Sequence, residues 1–330
     1  MDLIKATTEG LYCAAGDFHI DPWRPVKNAV ITHAHSDHAR WGSRLYYAHE
    51  KCVPLIRHRL GEGIPIVAKK WGEKFKMGDT WVSFHSAGHI LGSSQVRVEY
   101  KGKVWVASGD YKRTSDLSCD PFEVVPCNTF ISEATFALPV YKWDSSEVTA
   151  HKIYDWWQSD LERPTLIFCY ALGKAQRILA ELTRFTDRPV YQHGAIESLT
   201  EVYRHHGVKM LPTRSVFDEE KTYSFKGDLI LAPPSAHRSP WMKRFKEPQT
   251  AFASGWMQVR GTRRRKGYEK GFALSDHADW NELLQTINET GAETVFLTHG
   301  RTDVLKQYLE EQGKAVRLFQ TEYEDQEEAS

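Results

Sequence analysis

The chain has 330 residues, 41% hydrophobic and 26% charged, and its 43 basic and 43 acidic side chains leave a formal net charge of +0. That composition fits a globular protein with one large or two moderate cores, and no apolar run approaches the roughly 18 residues of a membrane-spanning helix. Cys13, Cys52, Cys119, Cys127 and Cys169 are odd in number and form no C-x-x-C pair, which speaks against a disulfide framework and a thiolate zinc site. The opening stretch, Met1 to Phe18, lacks the basic head and apolar middle of a signal peptide, so a cytoplasmic protein with no membrane partner is expected. With no net charge, affinity for a polyanion has to come from local patches.

From Val26 to about Asp144, short β-rich runs end repeatedly in polar residues: Ala29 to Thr32 before His33, Val104 to Ala107 before Gly109-Asp110, and Thr129 to Ile131 before Glu133. Each reads as a buried strand carrying chemistry at its C-terminal end. From about Ser145 to Trp256 helix and strand alternate instead: Val148 to Leu161 helical, Thr165 to Tyr170 a strand, Lys174 to Phe185 helical, then strands at Asp228 to Ala232 and Thr250 to Ser254. That βα pattern predicts a parallel sheet. A basic, glycine-bearing connection, Arg260 to Gly271, follows, after which Thr294 to Thr298 is again a strand run ending in a histidine, His299. The expected organisation is a first domain over 1–144, an inserted domain over 145–262, and the first domain resumed over 263–330. Asp279 with Glu282 forms a capping-box-like helix start, and Thr302 is expected to cap a helix that Gly313 closes.

The chemistry concentrates in His33-Ala34-His35-Ser36-Asp37-His38, where three histidines and an aspartate fall within six residues after an apolar strand. The i,i+2 spacing puts His33 and His35 on one side of an extended segment, and Asp37 and His38 follow as the chain turns away. One short loop can thus serve two ions. H-x-H-x-D-H after a strand resembles the signature of the metallo-β-lactamase fold, and the later members of that pattern are present in order as His89 in Ser86-Ala87-Gly88-His89 and Asp110 in Ser108-Gly109-Asp110. Upstream, Asp21 in Ile20-Asp21-Pro22 reads either as an Asp-Pro turn or as a partner orienting a ligand histidine. Glu133 in Ser132-Glu133-Ala134-Thr135, His277 in Ser275-Asp276-His277-Ala278-Asp279 and His299 in Leu297-Thr298-His299-Gly300 resemble three further motifs of the nucleic-acid-processing β-CASP branch.

The resemblance covers essentially the whole chain. It implies an α/β protein, a metallo-β-lactamase αββα sandwich with an inserted β-CASP α/β domain. It implies two divalent ions, one held by His33, His35, His89 and Asp110, the other by Asp37, His38, Asp110 as bridge, and His299. The imidazole-rich set favours zinc, with manganese as the alternative. The implied activity is metal-dependent phosphodiester hydrolysis. Asp37 counts among its catalytic residues, and His277, held by Glu133, protonates the leaving oxygen.

For nucleic acid, Arg260, Arg263, Arg264, Arg265 and Lys266, with Lys270, form a basic run just before His277, and Lys112 and Arg113 directly follow Asp110. His237 and Arg238 read either as a plain loop or as a pocket for a terminal phosphate. Trp143, Trp156, Trp157, Trp241 and Trp256 offer stacking surfaces, of which one or two are expected to be used. His299 resembles RNA-processing members of the branch, whereas Asp110-Tyr111-Lys112-Arg113 and the compact chain resemble bacterial exonucleases associated with a DNA ligase. The expectation is a monomeric 5′ to 3′ exonuclease acting on single-stranded DNA ends in DNA repair, working with a DNA ligase or helicase. An RNA-processing nuclease and a non-catalytic nucleic-acid-binding scaffold are the alternatives.

Overall fold

The computed structural model describes residues 2–259 and 267–319. Two compact units divide the chain: one from Met1–Ser115, Asp120–Lys142 and His277–Ala329, the other from Asp116–Cys119 and Trp143–Asp276. The protein is mixed α/β, with three sheets among the described residues.

In the first unit one sheet runs, in spatial order, Ile4–Ala6, Leu11–Cys13, Phe18–Ile20, Asn28–Val30, Leu45–His49 and Ile66–Lys69. The other runs Ala315–Leu318, Thr294–Thr298, Thr129–Glu133, Lys103–Ala107, Ser94–Tyr100, Thr80–Ser86 and Phe75–Met77. They pack face to face because each offers one apolar face: Ile4, Phe18, Ile20 and Val30 from the first meet Phe84, Val96, Val98, Ile131 and Phe296 from the second in one buried cluster. Residues alternating with these on the second sheet, among them Val106, Phe130, Val295 and Leu297, are covered by Leu283, Ile287, Leu305 and Leu309. Those four come from the helices Trp280–Glu289 and Thr302–Glu311. Burying a leucine or phenylalanine in this way is worth about 1.5–3 kcal/mol each, so the layers fix one another.

The helix Trp280–Glu289 starts as the sequence suggests, with the Asp279 carboxylate accepting from Glu282 N–H and the Glu282 carboxylate accepting from Asp279 N–H. The next helix differs. Thr302 is its first helical residue and Arg301 holds the N-cap position without a side-chain cap, while Gly313, at φ 81°, follows its last turn.

What positions the site is strand direction. Lys103–Ala107, Thr129–Glu133 and Thr294–Thr298 pair parallel. Thr80–Ser86 is antiparallel to Ser94–Tyr100, itself antiparallel to Lys103–Ala107, so it too ends at the same edge. His89, Asp110, Glu133 and His299 therefore emerge together.

In the second unit Thr213–Ser215, Val190–Gln192, Leu229–Ala232, Thr165–Phe168, Gln249–Ala253 and Lys270–Phe272 form a parallel sheet. Its strands are buried on both faces, as in Leu229–Ala232 and Gln249–Ala253, which is why they read as continuous apolar runs. The helices Ser146–Gln158, Lys174–Glu181 and Gly194–His205 alternate with them.

Candidate metal centre

The loop that follows Asn28–Val30 folds back on itself, with His38 N–H and Ala39 N–H both bonded to His35 carbonyl oxygen. This turn gathers the imidazoles instead of alternating them outward. His35 Nδ1 lies 3.1 Å from His33 Nε2 and 3.1 Å from His89 Nε2, and Asp110 Oδ2 is 3.3 Å from His33 Nε2. Asp110 Oδ2 is also 3.4 Å from His38 Nε2, which stands 3.4 Å from Asp37 Oδ2. Two groups of donors result, His33, His35, His89 and Asp110, and Asp37, His38 and Asp110, sharing one carboxylate.

Two glycines allow this approach. Gly109, at φ 56°, lets the strand-end loop close on Thr32, whose Cβ would lie 2.7 Å from any added side-chain carbon. Gly88, at φ 70°, passes the carbonyl of Lys112, which a Cβ would meet at 2.3 Å. No other residue tolerates both that backbone region and that contact.

The residues fit divalent ions on an observation of their own. His38 Nε2 is buried and has no hydrogen-bond partner, although two carboxylates flank it. An imidazole nitrogen placed so costs free energy unless a cation or proton joins it to those oxygens. Its other nitrogen is fixed, since His38 Nδ1 is 2.7 Å from Asp21 Oδ2, and Asp21 Oδ1 accepts from Thr32 N–H at 2.7 Å. Asp21, at φ 43°, thus orients His38 with Nε2 turned to the donors.

Electrostatics agree with that picture. Burial opposes charge on His38, but the carboxylates of Asp110, Asp37 and Asp21 outweigh it and hold its pKa well above the usual imidazole value. Burial likewise opposes ionisation of Asp110 and Asp37, yet His38 and His33 hold both carboxyls far below the ordinary range. His299 stacks beside His38, ring centroids 5.4 Å apart, and burial followed by the neighbouring His38 lowers its pKa. It stands next to the second donor group without being part of it.

His277 Nδ1 is 2.9 Å from Glu133 Oε2, and Glu133 Oε1 accepts from Tyr111 N–H at 2.7 Å. Its ring centroid is 4.7 Å from that of His89. The structure thereby brings His277 and Glu133 beside the donor set.

The expected nucleic-acid contacts fare differently. Lys112 is 2% exposed, and Arg113 is turned to Glu289 at 2.7 Å and Thr286 at 3.3 Å. A basic residue after a strand end reads as exposed only if the loop leaves the sheet; here Lys112 N–H is held by Ala87 carbonyl oxygen. His237 stacks on Tyr268, centroids 4.1 Å apart, with Arg238 exposed beside it at φ 58°. Trp157 is wholly buried and bonded to Gly227 carbonyl oxygen, and Trp156 and Trp241 pack against Phe272 and Phe245. Trp143 and Trp256 are half-buried. Arg260, Arg263, Arg264, Arg265 and Lys266 lie outside the described residues. Of the tryptophans that sequence reasoning did not weigh, Trp41 is 73% exposed and Trp81 47%.

No family model matches the chain. It is 28% identical over 311 residues to a protein named probable DNA ligase from Opitutus terrae, a similarity covering 93% of this chain and 30% of that protein. It is 23% identical over 349 residues to a protein named RNase aCSPSF2 from Saccharolobus solfataricus, covering 84% of this chain and 70% of the relative. Among solved structures, that of a protein of unknown function from Enterococcus faecalis V583 is similar with a TM-score of 0.59 at 13% identity, over 82% of this chain and 74% of that one; this likeness concerns the fold. The chain thus spans under a third of the Opitutus protein. Among the described residues no helix is long and apolar enough to cross a membrane.

Proposed function

We propose that the chain is a metal-dependent nuclease of the metallo-β-lactamase fold and β-CASP branch, a two-metal phosphodiesterase that degrades single-stranded DNA from its ends. The observation that carries this reading is the pair of donor groups meeting at Asp110 with an imidazole and carboxylate pair, His277 and Glu133, beside them. His33, His35, His89 and Asp110 would hold one ion, and Asp37, His38 and Asp110 the other, with His299 beside His38. Bound there, two divalent ions supply water activation at neutral pH and positive charge for the phosphoryl oxygens. Zinc suits the donor set best, with manganese second.

The chain's own residues supply the rest. Glu133, anchored by Tyr111 N–H, holds His277 through Nδ1, so Nε2 is the atom that delivers a proton to the leaving oxygen. Asp21 keeps His38 in the tautomer and orientation a ligand requires.

The Opitutus relative supports DNA, since a protein named for DNA ligation contains a stretch similar to 93% of this chain. It also supports work alongside a ligase. An RNA substrate is the second reading, favoured by the name of the Saccharolobus relative. Digestion of matched DNA and RNA oligonucleotides, labelled alternately at each end and supplied with zinc or manganese, tests both. Faster loss of the DNA strand with products released from the 5′ end is expected; preferential RNA cleavage reverses the assignment of substrate.

A further inference from the structure

Thr32 stands between the strand Asn28–Val30 and the histidine loop, and it is 1% exposed. Its backbone is held from both sides: Thr32 N–H donates to Asp21 Oδ1 at 2.7 Å, and Thr32 carbonyl oxygen accepts from Ser94 N–H at 2.9 Å. Its side chain lies against Gly109, where a Cβ would meet Thr32 Cβ at 2.7 Å, Oγ1 at 2.8 Å and Cγ2 at 3.0 Å. A buried hydroxyl costs free energy unless it finds partners. This one has three polar side-chain atoms within reach, on Asp21, His33 and His38.

Thr32 Oγ1 donates to Asp21 Oδ2 and lies 3.1 Å from His33 Nδ1 and 3.5 Å from His38 Nδ1. His38 Nδ1 is nearer to Asp21 Oδ2 itself, at 2.7 Å. A hydroxyl has one proton, and an ionised carboxylate only accepts. With the Thr32 proton committed to Asp21, its oxygen is left to accept, so the contact to His33 requires hydrogen on Nδ1. In a neutral ring that leaves the lone pair on Nε2. His33 Nε2 is the atom that faces His35 Nδ1 at 3.1 Å and Asp110 Oδ2 at 3.3 Å. Asp21 therefore acts on both groups of donors: on His38 directly, in the second, and on His33, in the first, across one hydroxyl. A residue that only filled space beside Gly109 would need its branched carbon and no oxygen.

Resting on the two-metal reading above, we propose that Thr32 is a positioning residue whose hydroxyl relays the Asp21 carboxylate to His33, so that one acidic side chain sets the ring nitrogen offered to each ion. A hydrogen bond to the far nitrogen of a ligand imidazole fixes its tautomer and orientation and raises its basicity. The Asp21 and Thr32 pair thus ties the two ion sites together, in addition to the Asp110 carboxylate they share.

Two measurements on the full chain test this apart from turnover: zinc affinity by competition with a coloured chelator, and protonation of the histidine ring nitrogens by nitrogen NMR of the metal-free protein. Thr32→Val keeps the shape and removes the oxygen. It is expected to weaken zinc binding about 10–100-fold and to move the neutral His33 ring toward the Nε2–H form. Thr32→Ser restores the hydroxyl and is expected to keep zinc affinity and the Nδ1–H form of His33 near those of the parent chain. Parental zinc affinity in Thr32→Val, equal weakening in Thr32→Ser, or His33 of the parent chain found as Nε2–H overturns the proposal while leaving the two-metal reading intact. The last of these needs no variant, so it decides even if Thr32→Val fails to fold, which thermal unfolding in chelator checks. A parent chain that binds no divalent ion overturns both.

Discussion

In the first unit, Asp37 and Asp110 each stand 3.4 Å from a buried His38 Nε2 that makes no hydrogen bond. In the second, the buried Asp116 carboxylate is met directly by a cation, Arg177, on the helix Lys174–Glu181. Both arrangements bury charge, which is costly in either place. The difference lies in completion. Ion pairs that close on themselves hold a fold, whereas donors that converge on one another without closing need something else between them. Chemistry is thus expected from the first unit, and Arg177, despite its burial and charge, is read as structural.

Four variations break or sharpen that contrast. His277→Ala is expected to lower kcat by about 10²–10⁴-fold, the range of a lost general acid, with metal content unchanged. Parallel loss of metal in elemental analysis would make His277 a ligand instead. Arg177→Met strands Asp116 and should cost about 3–5 kcal/mol in denaturant unfolding, while the metal affinity of protein that remains folded stays as before. An undiminished stability there would mean the second unit's charges are not closed. Asp21→Ala releases His38 and should weaken metal binding about 10–100-fold with little change in stability, as read by competition with a coloured chelator.

The smallest effect is on pH. Binding an ion requires His38 to be neutral, and its neighbouring carboxylates hold it protonated above the usual imidazole value. Metal affinity should therefore fall as pH drops below that raised value, by up to about tenfold per pH unit, and level off above it. A flat profile through neutrality would remove His38 from the ligands.

How much of this could be read in advance depended on contiguity. The histidine loop spans six residues and announces itself, and the apolar runs ending in Asp110, Glu133 and Thr298 are strands because burial on both faces demands continuous hydrophobicity. Three strands of the parallel sheet in the second unit were legible from alternation, with ends off by one or two residues where strands fray into loops, as at Thr165–Phe168, whereas the short strands Val190–Gln192, Thr213–Ser215 and Lys270–Phe272 were not, the last falling at the end of the stretch read as a connection. The burial of Lys112 was not legible, because charge in sequence says nothing of exposure when the following loop packs back on the sheet. Arg177 with Asp116 was invisible, since each is an ordinary residue until the fold pairs them.

The central claim, two cooperating ions at one shared carboxylate, is tested most directly by titrating metal into chelator-stripped protein while following bound metal and oligonucleotide cleavage together. Two ions per chain are expected, with cleavage rising as the second binds, and Asp110→Ala should abolish both. Cleavage that persists in chelator, or full activity with a single ion, would contradict it.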